Sequence, residues 1–521
     1  MKKHDRQITH NYSYGESLGA QLGTKVLRNV GWSALTNVTT QVVRFAVLFV
    51  LARFLSPEDF GLVGMAMVAI AFAQVFQTGG LGLALIQRKD LAESQVSSSF
   101  WVIASFGICL TIILLAVSSS VGRFYENNQV TPVLAALALT LLFISLNTVP
   151  RVLIVRAIEF RKLFSIEIGS DVLGGILAIV LAYKGFGVWS LVAKTLAESL
   201  CKTVLLWVCA KWLPKWLFTF SALKPLLIMA LPMLSFAFVH YFALNMDYLI
   251  IGKYLGPAAL GLYTLAYKIM LLPVSQVSGA LINVVLPGFS SIQDDKTKVG
   301  KGYLKMLRYI SFITFPTMAG LAVVAPEAIR LFFGPRWLPA AEVLRTLTIV
   351  GAVSSVQSSA SIIFISQGRS DILLKWALFS TACYVIGFFA GLPWGIHGVA
   401  VGYAVSFLAI APVCFYIALN LVNLTLKDVA DSLAPAIAGA SILGLILMGL
   451  RAADFVQTMN VNSRLLLLVC AGVAIYAGFN LLFRREFLTE MMYTLKQALR
   501  KEPASMSWRD EFQQNRRGVG G

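Results

Sequence analysis

Two segments of the chain, two hundred residues apart, carry the same local pattern, each set between hydrophobic runs long enough to cross a bilayer. Arg53-Phe-Leu-Ser-Pro57-Glu-Asp-Phe60-Gly61-Leu62 recurs as Lys253-Tyr-Leu-Gly-Pro257-Ala-Ala-Leu260-Gly261-Leu262, and Ala66 falls opposite Ala266. In both copies the basic residue ends one apolar run, Pro and Gly form the turn, and the next run begins at once. The shared unit is a tight helical hairpin, with Pro57, Gly61, Pro257 and Gly261 as its structural residues. The chain therefore reads as two related halves. Paired halves in a polytopic membrane protein are the architecture of alternating-access transporters, with the path for the transported molecule between them.

Composition agrees with a bilayer as solvent. The chain is 58% hydrophobic and 13% charged, with a mean hydropathy of +0.76, against roughly 25% charged residues in a soluble domain. Reading apolar runs of about 20 residues as spans gives an all-α polytopic membrane protein of about 14 transmembrane helices. Helices 1 to 6 and 7 to 12 form two pseudo-symmetric lobes, followed by two C-terminal helices. The expected divisions are a tail at 1–29, an N-lobe at 30–222, a C-lobe at 223–425, the last two spans at 426–485 and a tail at 486–521.

A net charge of +18 would suggest nucleic acid in a soluble protein. Here the basic residues cluster on one set of connections, as in Arg151, Arg156, Arg161 and Lys162, then Lys296, Lys298, Lys301, Lys305 and Arg308. This is the positive-inside bias; with an even number of spans it places both termini in the cytoplasm and leaves no surplus charge for nucleic acid. The first 29 residues are polar, with charges of both signs, and do not read as a signal peptide. All six cysteines lie in apolar runs without CxxC spacing, and the four histidines (His4, His10, His240, His397) form no HExxH or Cys/His cluster. No metal or cofactor is expected. Gly187-Val-Trp-Ser-Leu-Val-Ala193-Lys194-Thr195 has the outline of a phosphate loop, yet Val188 and Ala193 stand where glycines would be needed to wrap the backbone around a phosphate. Beyond Arg484-Arg485, Phe487, Leu488, Met491, Leu495 and Leu499 repeat at helical spacing among basic residues. That pattern predicts an amphipathic helix on the anionic inner leaflet.

What remains for chemistry is a set of ionisable groups inside hydrocarbon, each costing about 2.5 to 3.5 kcal/mol at a span centre unless it faces protein or water. Arg44 lies in span 1 and Lys268 in span 8, so early spans of both halves bring a cation into the outer half of the membrane. With Lys194 they make a candidate cationic cleft, suited to an anionic substrate. Lys194, Glu198 and Lys202 fall at i, i+4, i+8 on span 6, which is either a self-neutralised stripe or part of the path. Glu167 and Asp171 have the same spacing on span 5. Asp247, Glu198 and Asp171 are the candidates for coupling to an ion, Asp247 also reading as a solvated carboxylate near a helix end. Prolines at 225, 232, 273, 287, 316 and 326 supply kinks that serve either bending or static shape. Ser354, Ser355, Gln357, Ser358, Ser359 and Ser361 form a polar face that lines a wet path or bonds helix to helix.

The stretch from Leu51 through Arg53, Pro57, Glu58, Asp59, Phe60 and Gly61 to Leu62, followed by Gly79-Gly80-Leu81-Gly82-Leu83-Ala84-Leu85-Ile86-Gln87, resembles the polysaccharide-export flippases of the Wzx-like type. Phe160-Arg161, Gly185-Phe-Gly187-Val-Trp189-Ser190, Asn245-Met-Asp247 and Phe289-Ser-Ser-Ile-Gln293-Asp294 resemble later landmarks of that family. The resemblance implies two lobes of six helices plus two C-terminal helices, within the superfamily that holds multidrug extruders and the lipid II flippase. It also implies transfer of polyprenyl-diphosphate-linked oligosaccharides across the bacterial inner membrane without ATP hydrolysis. The implied partners are the lipid-linked substrate, membrane lipids and polysaccharide polymerase or export machinery. The rival readings are an ion-coupled drug exporter of the same fold, which should have a carboxylate-dominated cavity, and a membrane polymerase or sugar transferase, which should carry a large outer loop with catalytic groups.

Overall fold

The computed structural model describes residues 35–78, 81–88 and 91–500, and every regular element among them is helical. The N-terminal tail with His4 and His10, Gly79-Gly80 and the end of the C-terminal tail lie outside the described residues. So do the side chains of Pro225, Pro232, His240 and Pro287.

Helix α1 (Leu35–Phe54) turns at Ser56 into α2 (Pro57–Thr78). The short α3 (Leu81–Gln87) leads to four long helices, α4 (Glu93–Phe124), α5 (Val130–Arg156), α6 (Phe160–Tyr183) and α7 (Val188–Ala210). The second repeat opens with α8 (Phe220–Ser291), a 72-residue helix interrupted at Gly256, where φ is +82°. The interruption is a reversal of direction. Tyr248 lies 6.1 Å from Tyr263 and 6.3 Å from Tyr267, ring to ring, whereas a continuous helix would separate them by more than 20 Å at about 1.5 Å per residue. Then follow α9 (Lys296–Phe332), α10 (Ala340–Gln357), the short α11 (Ala360–Ser366), α12 (Ser370–Gly391), α13 (Gly395–Asn420), α14 (Leu426–Ala452), a single turn α15 (Asp454–Gln457), α16 (Val461–Phe483) and α17 (Arg485–Arg500).

Eleven helical stretches are long and apolar enough to cross a membrane, and two of them, Ala237–Ser278 and Asp371–Asn420, each hold a reversal and so two spans. Helix α7 has the length to span but carries Lys194, Glu198 and Lys202 along it. Counted in this way the expected 14 spans are present. The chain is a multi-pass, all-α membrane protein.

The repeats meet face to face at α2 and the second arm of α8. A side chain on Gly61 would overlap the Pro257 carbonyl, and one on Gly261 would overlap the Pro57 carbonyl. Only glycine permits this approach of two backbones. The core around the crossing (Leu62, Met65, Leu260, Tyr263, Ala266) is continuous with Phe333, Trp337 and Leu344 of the second half. Away from the hairpins, Phe72 and Phe76 of α2 pack with Phe238, Tyr241 and Phe242 of α8, and Tyr241 donates to the Val68 carbonyl at 2.9 Å.

The serine-rich face of α10 bonds helix to helix. Thr314 and Ser355 share a 2.8 Å hydrogen bond, and Ser359 donates to Tyr303 at 3.2 Å. The expected amphipathic helix is α17, and it docks on protein: Lys305 pairs with Glu490 at 2.6 Å, and Phe487 packs on Phe312. Of the face that the sequence pattern assigned to lipid, Phe487 packs on Tyr309 and Phe312 of α9.

Candidate functional site

A cavity of about 600 Å³ lies between the repeats, walled by α1, α2 and α7 from the first and both arms of α8 from the second. Its charged lining residues are Arg44, Lys194 and Lys268, with Gln41, Asn245 and Thr264 among its neutral polar groups. Among the described residues, no Asp or Glu belongs to its wall. The hairpin crossing stands at one end of it, and the aromatic group of Phe72, Phe238 and Tyr241 begins immediately after Ala71 on α2 and one helical turn from Asn245 on α8.

Helical phase explains which side chains arrive. On α1, Gln41, Arg44, Leu48 and Leu51 recur at three- and four-residue steps and share one face. On α8, Thr264, Lys268, Leu271 and Ser275 do the same. Lys268 is exposed to this space, and among the described residues it has no ion pair or hydrogen bond. The three cations expected from sequence are therefore together.

Two of them have partners, and that of Arg44 is one the sequence did not reveal. Arg44 donates through Nε to Asp171 Oδ2 at 2.8 Å; its side chain is 48% exposed while that of Asp171 is fully buried. Lys194 pairs with Glu198 at 2.6 Å. The third member of the expected stripe, Lys202, turns instead to α6, reaching Glu167 at 3.1 Å and Asp171 at 3.0 Å. Glu167 also accepts from Arg151 at 2.9 Å. The result is a ladder of alternating charge, Arg44, Asp171, Lys202, Glu167 and Arg151, running from the cavity across the first lobe. It was invisible in sequence because its first pair joins residues 127 positions apart.

Asp247 lies on α8 but off the cavity wall. It is 6% exposed, and its Oδ1 accepts from the Tyr248 amide at 2.9 Å, within a tyrosine group that includes Tyr263 and Tyr267. The reading of Asp247 as a solvated helix-end carboxylate does not hold, because the fold-back at Gly256 covers it with the second arm of α8. Asn245, two residues earlier, does line the cavity.

The hairpin end carries cross-lobe contacts that sequence reasoning missed beyond the turn itself. Arg53 donates to the Leu331 carbonyl and, at 3.1 Å, to that of Phe332. Lys253 pairs with Glu126 at 2.6 Å and sits 5.4 Å from the Phe124 ring centre. Lys253 holds the Glu126 carboxyl below the usual carboxylate range, chiefly through that hydrogen bond. The Trp337 indole donates to the Ala52 carbonyl at 2.9 Å.

A family model described as polysaccharide biosynthesis protein matches residues 50–342. The teichuronic acid biosynthesis protein TuaB of Bacillus subtilis is 26% identical over 87% of this chain and 94% of its own length. The lipopolysaccharide biosynthesis protein WzxC of Escherichia coli is 26% identical over 75% of this chain and 79% of its own length. Among solved structures, the lipid II flippase MurJ in an inward closed conformation superposes with a TM-score of 0.73 at 16% identity, covering 88% of this chain and all of that one. That likeness concerns the fold.

Proposed function

The chain belongs to the polysaccharide biosynthesis protein family, and from that premise we propose that it is a flippase carrying polyprenyl-diphosphate-linked oligosaccharides across the bacterial inner membrane for surface-polysaccharide assembly. The observation that carries this reading is the cavity between the repeats, whose charged lining among the described residues is three cations and no carboxylate. A diphosphate or an acidic sugar entering it exchanges water for charge-assisted hydrogen bonds, whereas a cationic drug would meet only like charge. The short connections at the hairpin end, residues 125–129, 184–187 and 333–339, leave little room for the loop domain a polymerase would need.

The lobes are assigned to residues 30–222 and 223–425, with both termini cytoplasmic and the hairpin crossing periplasmic. In this arrangement the crossing is the closed outer gate, and alternating access replaces ATP hydrolysis. Of the three coupling candidates, Glu198 is taken by Lys194 and Asp171 by two cations. Asp247, with no cation partner among the described residues, is the best supported to take up a proton or metal cation.

The test is export per molecule of membrane protein in a deletion strain, with lipid-linked sugars analysed in parallel. Arg44→Gln and Lys268→Gln should each lower normalised export about tenfold with the protein still inserted, and Arg44→Lys should recover part of it, because point charge survives loss of the fork. Wild-type normalised export in both Gln variants would remove the cationic-cavity reading.

A further inference from the structure

We propose that Asp171 is a positioning residue for substrate: it clamps the Arg44 guanidinium from behind so that the two Nη groups face the cavity as a forked anion-binding edge. The inference deepens the flippase reading and rests on it.

The geometry is asymmetric in an informative way. An arginine that serves only a salt bridge commonly meets its carboxylate with two parallel hydrogen bonds. Arg44 uses Nε alone, at 2.8 Å. One of five N–H donors is thereby spent, and the Nη groups have no hydrogen bond among the described residues. The same side chain is about half exposed, and it lines the cavity. Asp171 itself is held on its other side, since Oδ1 is 3.0 Å from Lys202 Nζ. Lys202 is anchored in turn by Glu167, and Glu167 by Arg151. A carboxylate with a cation on each side is restrained, so the guanidinium it grips has a preferred plane.

Helix packing sets the reach of the clamp. Gly175, one turn beyond Asp171 on α6, lies so close to Val47, about one turn beyond Arg44 on α1, that a side chain there would overlap it. This glycine brings the two helices together at the level where the pair forms. Within the ladder three cations face two carboxylates, and one of its ends opens on the cavity.

The ligand such an edge fits has two oxygens on one centre, as in a phosphate of a diphosphate linkage or the carboxylate of an acidic sugar. Two probes separate these sources: inorganic pyrophosphate and glucuronate, each measured by equilibrium dialysis against the full chain in lipid nanodiscs. Wild type should bind whichever anion represents its substrate, and Arg44→Gln should lose that binding. The decisive variants are at Asp171. Simple electrostatics predicts that Asp171→Asn binds the anion more tightly, because a negative charge near the cavity is removed. The clamp predicts the opposite, a dissociation constant roughly tenfold higher from disordering of the fork. Asp171→Glu keeps the charge and lengthens the arm, so it should also weaken binding several-fold at an unchanged melting temperature, and it serves alone if the Asn protein does not fold.

Unchanged or tighter binding in Asp171→Asn, or unchanged binding in Asp171→Glu, overturns the clamp while leaving the cationic cavity intact. Failure of wild type to bind either probe, or of Arg44→Gln to change binding, overturns the cavity reading and the clamp with it.

Discussion

The two hairpins reach the same close crossing by different turns and different chemistry. In the first, Ser56 and Asp59 form a reciprocal cap: Asp59 Oδ2 accepts from the Ser56 amide and hydroxyl at 2.8 Å, and Ser56 Oγ accepts from the Asp59 amide at 3.3 Å. Pro57 then occupies the first helical position, where its missing donor costs nothing. In the second, Gly256 takes a left-handed φ of +82°, and Ala259 stands where the capping Asp59 would be. Even so, Gly61 and Gly261 each face the other repeat's proline carbonyl. The cations have diverged as well. Arg53 forks onto two carbonyls at the end of α9, while Lys253 meets a carboxylate and a ring at the end of α4. A helix start can be built in several ways, but a crossing of two backbones tolerates no added atom.

The sharpest way to break that comparison is at the crossing. Gly61→Ala and Gly261→Ala should each destabilise the closed hairpin end by about 3 kcal/mol, roughly a hundredfold in its population. Normalised export should fall at least tenfold and to a similar degree in both. A large effect from one glycine alone would show that the contact is not shared.

Next in size are the two turns. Gly256→Ala forces a β-carbon into a positive-φ, extended-ψ backbone that is nearly confined to glycine, at about 1–3 kcal/mol, whereas Ser56→Ala removes a cap worth about 1 kcal/mol. Thermal unfolding of the purified protein should rank them in that order. Equal shifts would mean that the second turn relaxes to an ordinary φ.

The smallest difference concerns the cations. Lys253 depresses the Glu126 carboxyl, so that pair contributes at neutral pH, above the ordinary carboxylate range, and its contribution is lost as pH falls through the lowered value. The Arg53 contact is with carbonyls and has no such titration. Acidification, or high salt, should therefore increase cysteine labelling of an Asn128→Cys reporter beside Glu126 in wild type but not in Lys253→Gln. An identical pH response in both would separate Glu126 from the closure.

Much of this was legible in the sequence. The repeat announced the hairpins, run lengths gave the spans, and three of the intramembrane cations, Arg44, Lys194 and Lys268, line one cavity as expected. The glycines read as turn residues, since a sequence cannot show that each turn's glycine would meet the other turn's carbonyl. Periodicity also linked Lys194, Glu198 and Lys202 as one stripe; Lys202 left it because Glu167 and Asp171 on a neighbouring helix offer two carboxylates at close range. Pairings between helices depend on rotation about each axis, and local spacing carries no record of that.

Helix α7 also bears on how the chain is made. Lys194, Glu198 and Lys202 lie along its length, and charged residues near a helix centre oppose entry into lipid by roughly 2.5–3.5 kcal/mol each. Alone, α7 would be rejected by the bilayer during synthesis. Its Lys202 meets Glu167 and Asp171 on α6, the helix made just before it. The two helices thus neutralise part of each other's charge, so α7 should enter lipid most readily against an α6 already in place. The dependence runs one way, because Glu167 and Asp171 already have Arg151 on α5 and Arg44 on α1, so a chain truncated before residue 188 should still insert α6.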